Sequence, residues 1–370
     1  MTRDDEDHGR SSESTELERD AVESERDAVR VTAGGRVHFG FGNLSLAHER
    51  LYGAVGVALA EPCVDLVVQR ADSVTVADAA SAPEPSSDRD HLDSETAATV
   101  EAYTGRVCDL LGVPGARVGV AETLPRHAGL GSGTQTALAV LTGVARVYGV
   151  EPRVRERAPA LGRGGRSGVG VAAFERGGFV LDAGHPTERF THDRPADGEW
   201  TVPQVAARHE IPSDWRFLLV LPGVEPGRSG DDEDASMRSV VESADPAVAD
   251  RIAGLITRRL LPAVTEGAVD RFGAAVREFG RLNGTWYADE QGGVYRPPVG
   301  DVVTTLADNP AVSGVGQSSW GPAVYGVTDT TRADAARAAG ERALEAAGVA
   351  GTVRVVAGRN EGATVREDVN

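Results

Sequence analysis

Residues 124–148 read Leu124-Pro-Arg-His-Ala-Gly-Leu-Gly-Ser-Gly-Thr-Gln-Thr-Ala-Leu-Ala-Val-Leu-Thr-Gly-Val-Ala-Arg-Val-Tyr148. A glycine-rich turn, Gly129-Leu130-Gly131-Ser132-Gly133, is followed by apolar residues at helical spacing, which predicts a helix that begins near Ser132. Glycine permits the tight turn, and the first N–H groups of a helix have no partner within the helix. Because these groups lie at the positive end of the helix dipole, the stretch predicts an anion site, with phosphate as the favoured ligand.

The glycine pattern excludes two common nucleotide-binding motifs. A Walker A loop needs a lysine, and the chain contains none. The run Gly-x-Gly-x-Gly does not have the spacing of the Rossmann fingerprint, and no acidic residue follows at the expected place. On glycines alone, a turn that merely caps a buried helix remains an equal alternative.

The wider pattern Pro125-x-x-x-Gly129-Leu130-Gly131-Ser132 resembles the phosphate-binding loop of the GHMP superfamily, which includes galactokinase, homoserine kinase and mevalonate kinase. The residues that follow, Gly133-Thr134-Gln135, depart from the small residues usual in those kinases. They are similar instead to a non-kinase branch, the β-ribofuranosylaminobenzene 5′-phosphate synthase family.

A second stretch that resembles this family is Arg36-Val-His-Phe-Gly-Phe41. Arg36 and His38 alternate along a predicted strand and therefore share one face, which suits a phosphate or a carboxylate. An ordinary polar strand face is the alternative that the residues alone leave open.

Two arginines, Arg163 and Arg166, lie in the glycine-rich run 162–168, and the planar guanidinium group suits phosphate or carboxylate. In the GHMP kinases the similar run Ser-Gly-(Ile or Val)-Asp supplies an aspartate that takes part in phosphoryl transfer. Here the run is Ser167-Gly-Val-Gly170, with glycine at the aspartate position. A chain without that acid and without lysine is poorly equipped as a kinase.

Asp182 follows a predicted strand and precedes Ala-Gly-His185. Together, Asp182 and His185 could supply a general base. Alternatively, Asp182 could be one ligand of a Mg²⁺ ion that is held mostly by diphosphate oxygens. A turn in which Asp182 bonds to its own backbone is an equal alternative.

A last informative stretch, Ser313-Gly-Val-Gly-Gln-Ser-Ser-Trp-Gly-Pro322, contains a glycine-rich turn similar to one in the synthase branch. Its polar residues Gln317, Ser318 and Ser319 are predicted to face a ligand. A tight hairpin covered by Trp320 is the structural alternative.

Composition limits the partners and the compartment. The formal net charge is −18, and all 38 basic residues are arginine, so nucleic acid and anionic membranes are unlikely partners. This composition is typical of concentrated intracellular salt, where the Debye length is about 3 Å at 1 M, and we expect a halophilic, cytoplasmic protein. Cys63 and Cys108 form no metal-binding motif, and no apolar run approaches the length of a membrane span.

Length and element order predict an α+β fold of two domains. The resemblance implies a GHMP-kinase-like fold, with an N-terminal domain like the ribosomal S5 second domain and a C-terminal ferredoxin-like α/β plait. We predict a disordered acidic arm over 1–28, an N-terminal domain over 29–190 and a C-terminal domain over 191–370. Residues 79–90 are predicted to form an exposed loop, and residues 186–212 an irregular crossover between the domains. Strands are predicted over 36–43, 52–59, 64–70, 73–77, 116–121, 178–181, 216–222 and 352–356. Helices are predicted over 92–111, 247–261, 268–282 and 333–347.

The resemblance implies transfer of the 5-phosphoribosyl group from phosphoribosyl diphosphate to 4-aminobenzoate or 4-hydroxybenzoate, with release of CO₂ and diphosphate, in the biosynthesis of a methanopterin-type cofactor. It implies Mg²⁺ with the diphosphate, no organic cofactor and small-molecule partners; a homodimer is an open alternative. An ATP-dependent small-molecule kinase and a non-catalytic phosphometabolite-binding protein are the rival functions. The predicted catalytic residues are Arg36, His38, Arg163, Arg166, Asp182 and His185, and the predicted binding residues are Gly129, Leu130, Gly131, Ser132, Gly133, Thr134, Gln135, Ser167, Gln317, Ser318 and Ser319.

Overall fold

The structure, a computed structural model, describes residues 28–79, 92–189, 196–225, 227 and 231–367. The predicted arm over 1–28 lies outside these residues except for residue 28, and so does nearly all of the predicted loop 79–90. The strands are β1 (Val29–Asn43), β2 (Arg50–Arg70), β3 (Thr75–Asp78), β4 (Ala116–Glu122), β5 (Phe179–Asp182), β6 (His185–Pro186), β7 (Val205–His209), β8 (Trp215–Pro222), β9 (Gly314–Gln317), β10 (Val324–Asp329), β11 (Gly351–Ala357) and β12 (Thr364–Glu367). The α-helices are α1 (Ser94–Leu111), α2 (Ser132–Val147), α3 (Val154–Arg157), α4 (Val169–Arg176), α5 (Asp231–Ser243), α6 (Pro246–Leu255), α7 (Leu261–Thr265), α8 (Val269–Gln291), α9 (Val299–Ala307) and α10 (Ala333–Ala346).

The first sheet is built on the long antiparallel pair β1 and β2. Its main strand order is β12-β1-β2-β4-β3, and β5 pairs with both β2 and β7. The pairing of β1 with β2 shifts register between Gly34 and Arg36 and again between His38 and Gly40. Arg36 and His38 lie between these two irregularities, where β1 passes the glycine-rich loop before α2.

Helix α2 packs against β1 and β2, and helix α1 packs against α2. The helix approaches the sheet closely because a glycine faces it: a Cβ on Gly143 would lie 2.5 Å from Cγ2 of Val68. Most of α2 is buried, including Leu138 and Leu141. The apolar spacing that predicted the helix therefore marks its packed face, and the N-terminus of α2 is fixed relative to the sheet.

The second sheet has four strands in the order β11-β8-β10-β9, all antiparallel to their neighbours. Strand β8 is buried along most of its length, as expected from its continuous apolar run. Helices α9 and α10 pack against this sheet, and α8 contacts both β9 of the second sheet and β1 of the first.

One hydrophobic core joins the two sheets. The ring of Phe39 on β1 lies 6.0 Å from that of Phe272 on α8 and 5.0 Å from that of Tyr325 on β10, measured between centroids. These three side chains belong to one buried cluster. Because residues of both halves share this cluster, α8 holds the second sheet against the strand that carries Arg36 and His38.

The predicted α+β class is confirmed, and α2 begins at Ser132 as predicted. The prediction of an irregular crossover over 186–212 is wrong where β7 forms, because Val205–His209 pairs with the edge of β5. Helices α4 and α9 were not predicted: α4 follows a glycine-rich run, and α9 is only nine residues long. Both β7 and β12 come from the chain after residue 190 yet pair into the first sheet.

None of the helices in the described part of the chain is long and apolar enough to cross a membrane.

Candidate active site

The loop 129–133 forms an open cradle at the start of α2. Gly129 and Gly131 have φ angles of +86° and +84°, a region that glycine adopts without strain. Gly131 caps α2 without a side-chain hydrogen bond, and the first turn holds no acidic residue. Ser132, Gly133 and Thr134 line a cavity of about 1230 Å³. The uncapped N–H groups of this helix therefore lie at a cavity wall, as an anion site requires.

Two guanidinium groups flank the cradle. A Cβ on Gly131 would lie 3.2 Å from Cγ and 3.4 Å from Cζ of Arg36, and a Cβ on Gly133 would lie 3.1 Å from Cζ of Arg163. Arg36 also donates a hydrogen bond of 2.5 Å to the carbonyl of Gly129. Burial lowers the pKa of Arg36 to about 10, which leaves the group cationic at neutral pH. The structure thus brings two predicted arginines to the predicted anion loop.

Arg163 is positioned by aromatic side chains on its other side. Its guanidinium lies 5.3 Å from the centroid of the Tyr103 ring, within the range of a cation–π contact. Its backbone carbonyl accepts a hydrogen bond of 3.4 Å from Nε1 of Trp200. Tyr103 and Trp200 both line the cavity. They extend the cavity from the cradle toward α1.

The turn after β9 holds the glycine loop in place. Oγ of Ser318 donates to the carbonyl of Gly129 at 2.7 Å and accepts from the backbone N–H of His38 at 3.0 Å. Ser318 is fully buried. Ser318 was predicted to face a ligand, but it does not line the cavity. Its side chain joins the glycine loop to β1. The neighbouring Ser319 and Gln317 do line the cavity.

Gln317 fixes the shape of this turn. Its Oε1 accepts from the backbone N–H of Arg296 at 3.0 Å, and its Nε2 donates to Oε1 of Gln291 and to the carbonyl of Ser319, both at 3.1 Å. Ser319 has a φ of +54°, which is uncommon for a residue with a side chain. Backbone in this region is often found where a ligand is bound, and Ser319 lies at the cavity wall.

His38 lines the cavity but is only 4% exposed. Its ring makes a T-shaped contact with Phe41, at 4.9 Å between centroids. Burial, followed by the charge of Arg36, lowers the pKa of His38 to about 3. Its Nδ1 is buried with no hydrogen-bond partner. The imidazole is therefore neutral at neutral pH, and one of its polar atoms is unsatisfied.

Arg166 reaches the cavity already paired. It donates a hydrogen bond of 3.0 Å to Oε1 of Glu233 and also forms an ion pair with Asp234, both on the first turn of α5. The hydroxyl of Tyr52 is a further hydrogen-bond partner of Arg166. Because both carboxylates line the cavity, Arg166 faces acids rather than an open anion site in this state.

Asp182 does not line the cavity, and its predicted role in the site is not supported by this geometry. It is 2% exposed, and its carboxylate accepts three backbone N–H groups: Ala54 at 3.1 Å, Gly184 at 2.9 Å and Gly168 at 2.7 Å. Burial raises its pKa to about 6, and these hydrogen bonds oppose that rise. The alternative of a turn bonded to its own backbone describes Asp182 better than a metal ligand does.

His185 lines the cavity but is not paired with Asp182. Its Nε2 lies 2.5 Å from the carbonyl of Gly165, and its ring makes a T-shaped contact with Tyr52 at 6.4 Å between centroids. Burial lowers its pKa. His185 therefore positions the glycine-rich run that carries Arg163 and Arg166.

The remaining predicted binding residues divide between the wall and the interior. Ser167 and Gly129 line the cavity. Leu130 and Gln135 are fully buried, and Nε2 of Gln135 donates to the carbonyl of Gly170 at 2.9 Å. Gln135 thus joins α2 to α4 and does not reach a ligand.

The described residues do not fit a resident Mg²⁺ ion. No group of three or more His, Cys, Asp or Glu side chains among them is placed to hold a metal. Two acids of the cavity wall, Glu233 and Asp234, are both engaged by Arg166. The acid predicted as a ligand, Asp182, is saturated by backbone N–H groups.

Sequence reasoning missed the contribution of α5 and α8 to the site. Glu233 on α5 lines the cavity, but its partner Arg166 lies 67 residues away in sequence, so no local pattern connects them. Tyr287 on α8 lines the cavity, 4.8 Å from Trp320 between ring centroids. A single tyrosine in a helix carries no pattern that distinguishes a cavity wall from a packed core, so its role could not be predicted.

Comparison with known families agrees with this architecture. The family described as "GHMP kinases N terminal domain" matches residues 96–178, and "GHMP kinases C terminal" matches residues 260–346. The first match contains the cradle and the run around Arg163. The predicted GHMP-kinase-like fold is confirmed.

Two similar proteins are both named beta-ribofuranosylphenol 5′-phosphate synthase. The protein from Methanothermobacter thermautotrophicus is 31% identical over 335 residues, which cover 90% of this chain and 97% of that protein. The protein from Archaeoglobus fulgidus is 31% identical over 305 residues, which cover 82% of this chain and 88% of that protein.

Solved structures of the same fold are more distant. Homoserine kinase from Cytophaga hutchinsonii superposes with a TM-score of 0.60 at 18% identity, covering 93% of this chain and 99% of that one. Mevalonate diphosphate decarboxylase from Staphylococcus aureus gives a TM-score of 0.60 at 12% identity, covering 92% and 98%. These similarities establish the fold alone.

Proposed function

The chain belongs to the beta-ribofuranosylphenol 5′-phosphate synthase family, and from this membership we propose that it transfers the 5-phosphoribosyl group of phosphoribosyl diphosphate to an aromatic acid. CO₂ and diphosphate are the other products. The acceptor is 4-hydroxybenzoate or 4-aminobenzoate, and the product enters the biosynthesis of a methanopterin-type cofactor. The relatives are named for a phenol product, which favours 4-hydroxybenzoate.

The observation that carries this proposal is the cradle between two arginines. The uncapped start of α2 offers backbone N–H donors, while Arg36 and Arg163 lie beside Gly131 and Gly133. Such a site suits a substrate whose reacting carbon carries a diphosphate. Negative charge grows on that group as it leaves, and preorganised cations and N–H groups stabilise the growing charge.

The same geometry disfavours the rival kinase. Gly170 occupies the position at which similar kinase runs have aspartate, and it lines the cavity. A Cβ there would lie 3.2 Å from Cγ2 of Thr134, so the site has little room for an acidic side chain. Together with the absence of lysine from the chain, this removes the usual groups that align and stabilise a transferring phosphoryl group.

The positions of the charged groups support the following steps. Diphosphate leaves from the ribosyl carbon toward the cradle and takes the bonding electron pair. The ring carbon that bears the carboxylate attacks the oxocarbenium-like centre and forms the new carbon–carbon bond. The bond to the carboxylate then breaks, its electron pair returns to the ring, and CO₂ departs. Arg36, at the edge of the cradle, orients the carboxylate, and Arg163 neutralises the diphosphate.

Arg166 takes part only after exchanging partners. In this structure it is bound to Glu233 and Asp234. We propose that bound diphosphate competes with these carboxylates for the guanidinium. Mg²⁺, if bound with the substrate, would be held mostly by the diphosphate oxygens and would neutralise part of their charge.

The cellular setting is proposed from composition. A net charge of −18 and 38 arginines without lysine support a halophilic, cytoplasmic protein, and a homodimer stays open. Activity is therefore expected to depend on the KCl concentration.

Product formation tests the proposal. The protein is incubated with Mg²⁺, phosphoribosyl diphosphate and 4-hydroxybenzoate, and the ribosylated phenol phosphate is identified by mass spectrometry. Arg163→Ala should lower kcat/KM for phosphoribosyl diphosphate by at least tenfold, since a charge-assisted contact is worth about 1.5–3 kcal/mol. Arg342→Ala is the control, because Arg342 is exposed and lies outside the cavity. Full turnover by Arg163→Ala would contradict the role of the cradle.

A further inference from the structure

His38 is a buried polar side chain of the cavity wall to which the proposed reaction gives no role. Its position is rigid, because its backbone N–H donates to Oγ of Ser318 at 3.0 Å and its carbonyl accepts from the N–H of Ser319 at 3.2 Å. Both backbone polar groups of His38 are thus bound to the turn that also holds the glycine loop. These contacts fix the backbone from which the imidazole extends.

The imidazole has an unmet hydrogen-bonding requirement. Nδ1 is buried without a partner, although the ring lines the cavity. Leaving such an atom unsatisfied costs about 1–3 kcal/mol, and a functional role is one of the explanations for such a group in a native protein. A ligand in the cavity is the available source of a partner, reached directly or after a rotation of the ring.

The surroundings of the ring select an aromatic ligand. Phe41 contacts His38, and the ring of Tyr52 lies 5.5 Å from that of Phe41 between centroids. His38, Phe41 and Tyr52 all line the cavity. This wall is apolar apart from the imidazole and the tyrosine hydroxyl, which suits a flat ring with a polar substituent at its end.

Arg36 and His38 differ in what they can bind. They occupy alternate positions of a regular stretch of β1, paired with Ala58 and Gly56, and so share one face about 6.6 Å apart along the strand. Arg36 is cationic and suits a carboxylate, whereas a neutral imidazole has no charge to pair with one. The unprotonated nitrogen of a neutral imidazole is an acceptor for a hydroxyl or amino group.

We propose that His38 is a specificity-determining residue, whose imidazole accepts a hydrogen bond from the 4-hydroxyl or 4-amino group of the aromatic acceptor while Arg36 holds the carboxylate at the opposite end of the ring. This inference rests on the proposed function. The hydrogen bond increases electron donation from the oxygen or nitrogen into the ring. The carbon para to it, which carries the carboxylate, is the one that attacks the ribosyl centre. No net proton transfer is involved.

Acceptor binding tests the inference without turnover. Dissociation constants of 4-hydroxybenzoate and 4-methylbenzoate are measured by equilibrium dialysis in concentrated KCl. The two acids have similar size, but only the first can donate a hydrogen bond. Wild type should prefer 4-hydroxybenzoate, and His38→Leu should reduce that preference about tenfold, while His38→Gln, which keeps an acceptor oxygen, retains part of it. His48→Leu is the control, because His48 lies outside the cavity lining.

The outcomes separate this inference from the function itself. If wild type forms product but binds both acids equally, or if the preference survives in a folded His38→Leu variant, the inference is wrong and the proposed function stands. If wild type binds neither phosphoribosyl diphosphate nor aromatic acids, the proposed function fails as well. We expect His38→Leu to bind phosphoribosyl diphosphate as tightly as wild type does. A variant that had lost its structure would not bind this substrate.

A second measurement uses the wild-type protein and covers the case in which His38→Leu does not fold. Imidazole signals in ¹⁵N NMR spectra are followed as each acid is added, with the His38 signal assigned from the spectrum of His38→Gln. Addition of 4-hydroxybenzoate should shift the His38 signal, and 4-methylbenzoate should shift it much less. Equal shifts with both acids would overturn the inference.

Discussion

Arg166 donates a hydrogen bond of 3.0 Å to Glu233, so a cation of the glycine-rich run 162–168 is neutralised by the first turn of α5. Asp234 completes the pair on the same guanidinium. These contacts join two segments that both line the cavity. Access of a polyanionic substrate to Arg166 therefore requires a change of partner.

Glu233→Gln should improve the binding of phosphoribosyl diphosphate. The substitution removes a negative charge from the cavity and weakens the hold on Arg166, so KM for this substrate should fall roughly fivefold, the equivalent of about 1 kcal/mol. Steady-state kinetics at fixed KCl measures the effect. Glu345→Gln removes the same charge at an exposed site outside the cavity and should leave KM unchanged. A higher KM in Glu233→Gln would show that the carboxylate assists binding.

Gly170→Asp, which restores the acid of the similar kinase run, should not create a kinase. The new side chain begins 3.2 Å from Cγ2 of Thr134, and such overpacking costs about 1–3 kcal/mol of stability. Chemical unfolding measures the loss, and an ATP-coupled assay measures phosphorylation. In Gly105→Ala the new Cβ meets no atom within 4 Å, so that variant should be as stable as wild type or more stable. Phosphoryl transfer by Gly170→Asp would contradict this prediction and support the kinase hypothesis.

Asp182→Asn should destabilise the fold without changing substrate affinity. Three backbone N–H groups point at the carboxylate, and the amide NH₂ of asparagine would turn a donor toward at least one of them. The expected loss is about 1–3 kcal/mol in the free energy of unfolding. KM values should be unchanged, because Asp182 does not line the cavity. A large rise in KM with unchanged stability would show that Asp182 takes part in substrate binding.

His38 should make the folded state sensitive to acid. Burial and Arg36 lower its pKa to about 3 in the folded protein, against about 6.5 in an unfolded chain. Between these values only the unfolded chain binds the proton, so stability is lost as the pH falls below 6.5, by about 1.4 kcal/mol per pH unit. The stability advantage of wild type over His38→Gln should therefore be about 2 kcal/mol smaller at pH 5 than at pH 7. An advantage that does not change with pH would show that His38 is not buried and neutral.

Sequence patterns predicted the parts of the site that depend on local structure. The start of α2 at Ser132 follows from glycines before an amphipathic run, and the shared face of Arg36 and His38 follows from strand alternation. Both features are fixed by neighbours in sequence. The resemblance to the family extended these predictions to the overall fold.

The remaining features depend on contacts between distant segments. Ser318 was predicted to face a ligand, but the carbonyl of Gly129, 189 residues away, takes its hydroxyl. Asp182 was predicted to be catalytic, but its carboxylate is bound by three backbone N–H groups. These groups come from β2, the start of α4 and the turn after β5, so no local sequence pattern reveals them. The acids that engage Arg166 lie on α5, whose charge cluster has the same appearance as a solvated helix start.

The central claim is that this cradle serves decarboxylating phosphoribosyl transfer. It is tested most directly by release of labelled CO₂ from carboxyl-labelled 4-hydroxybenzoate or 4-aminobenzoate in concentrated KCl with Mg²⁺. Release that requires phosphoribosyl diphosphate, matches diphosphate formation and is unaffected by ATP is the predicted result. A folded protein that releases no label while phosphoribosyl diphosphate stays intact would contradict the claim.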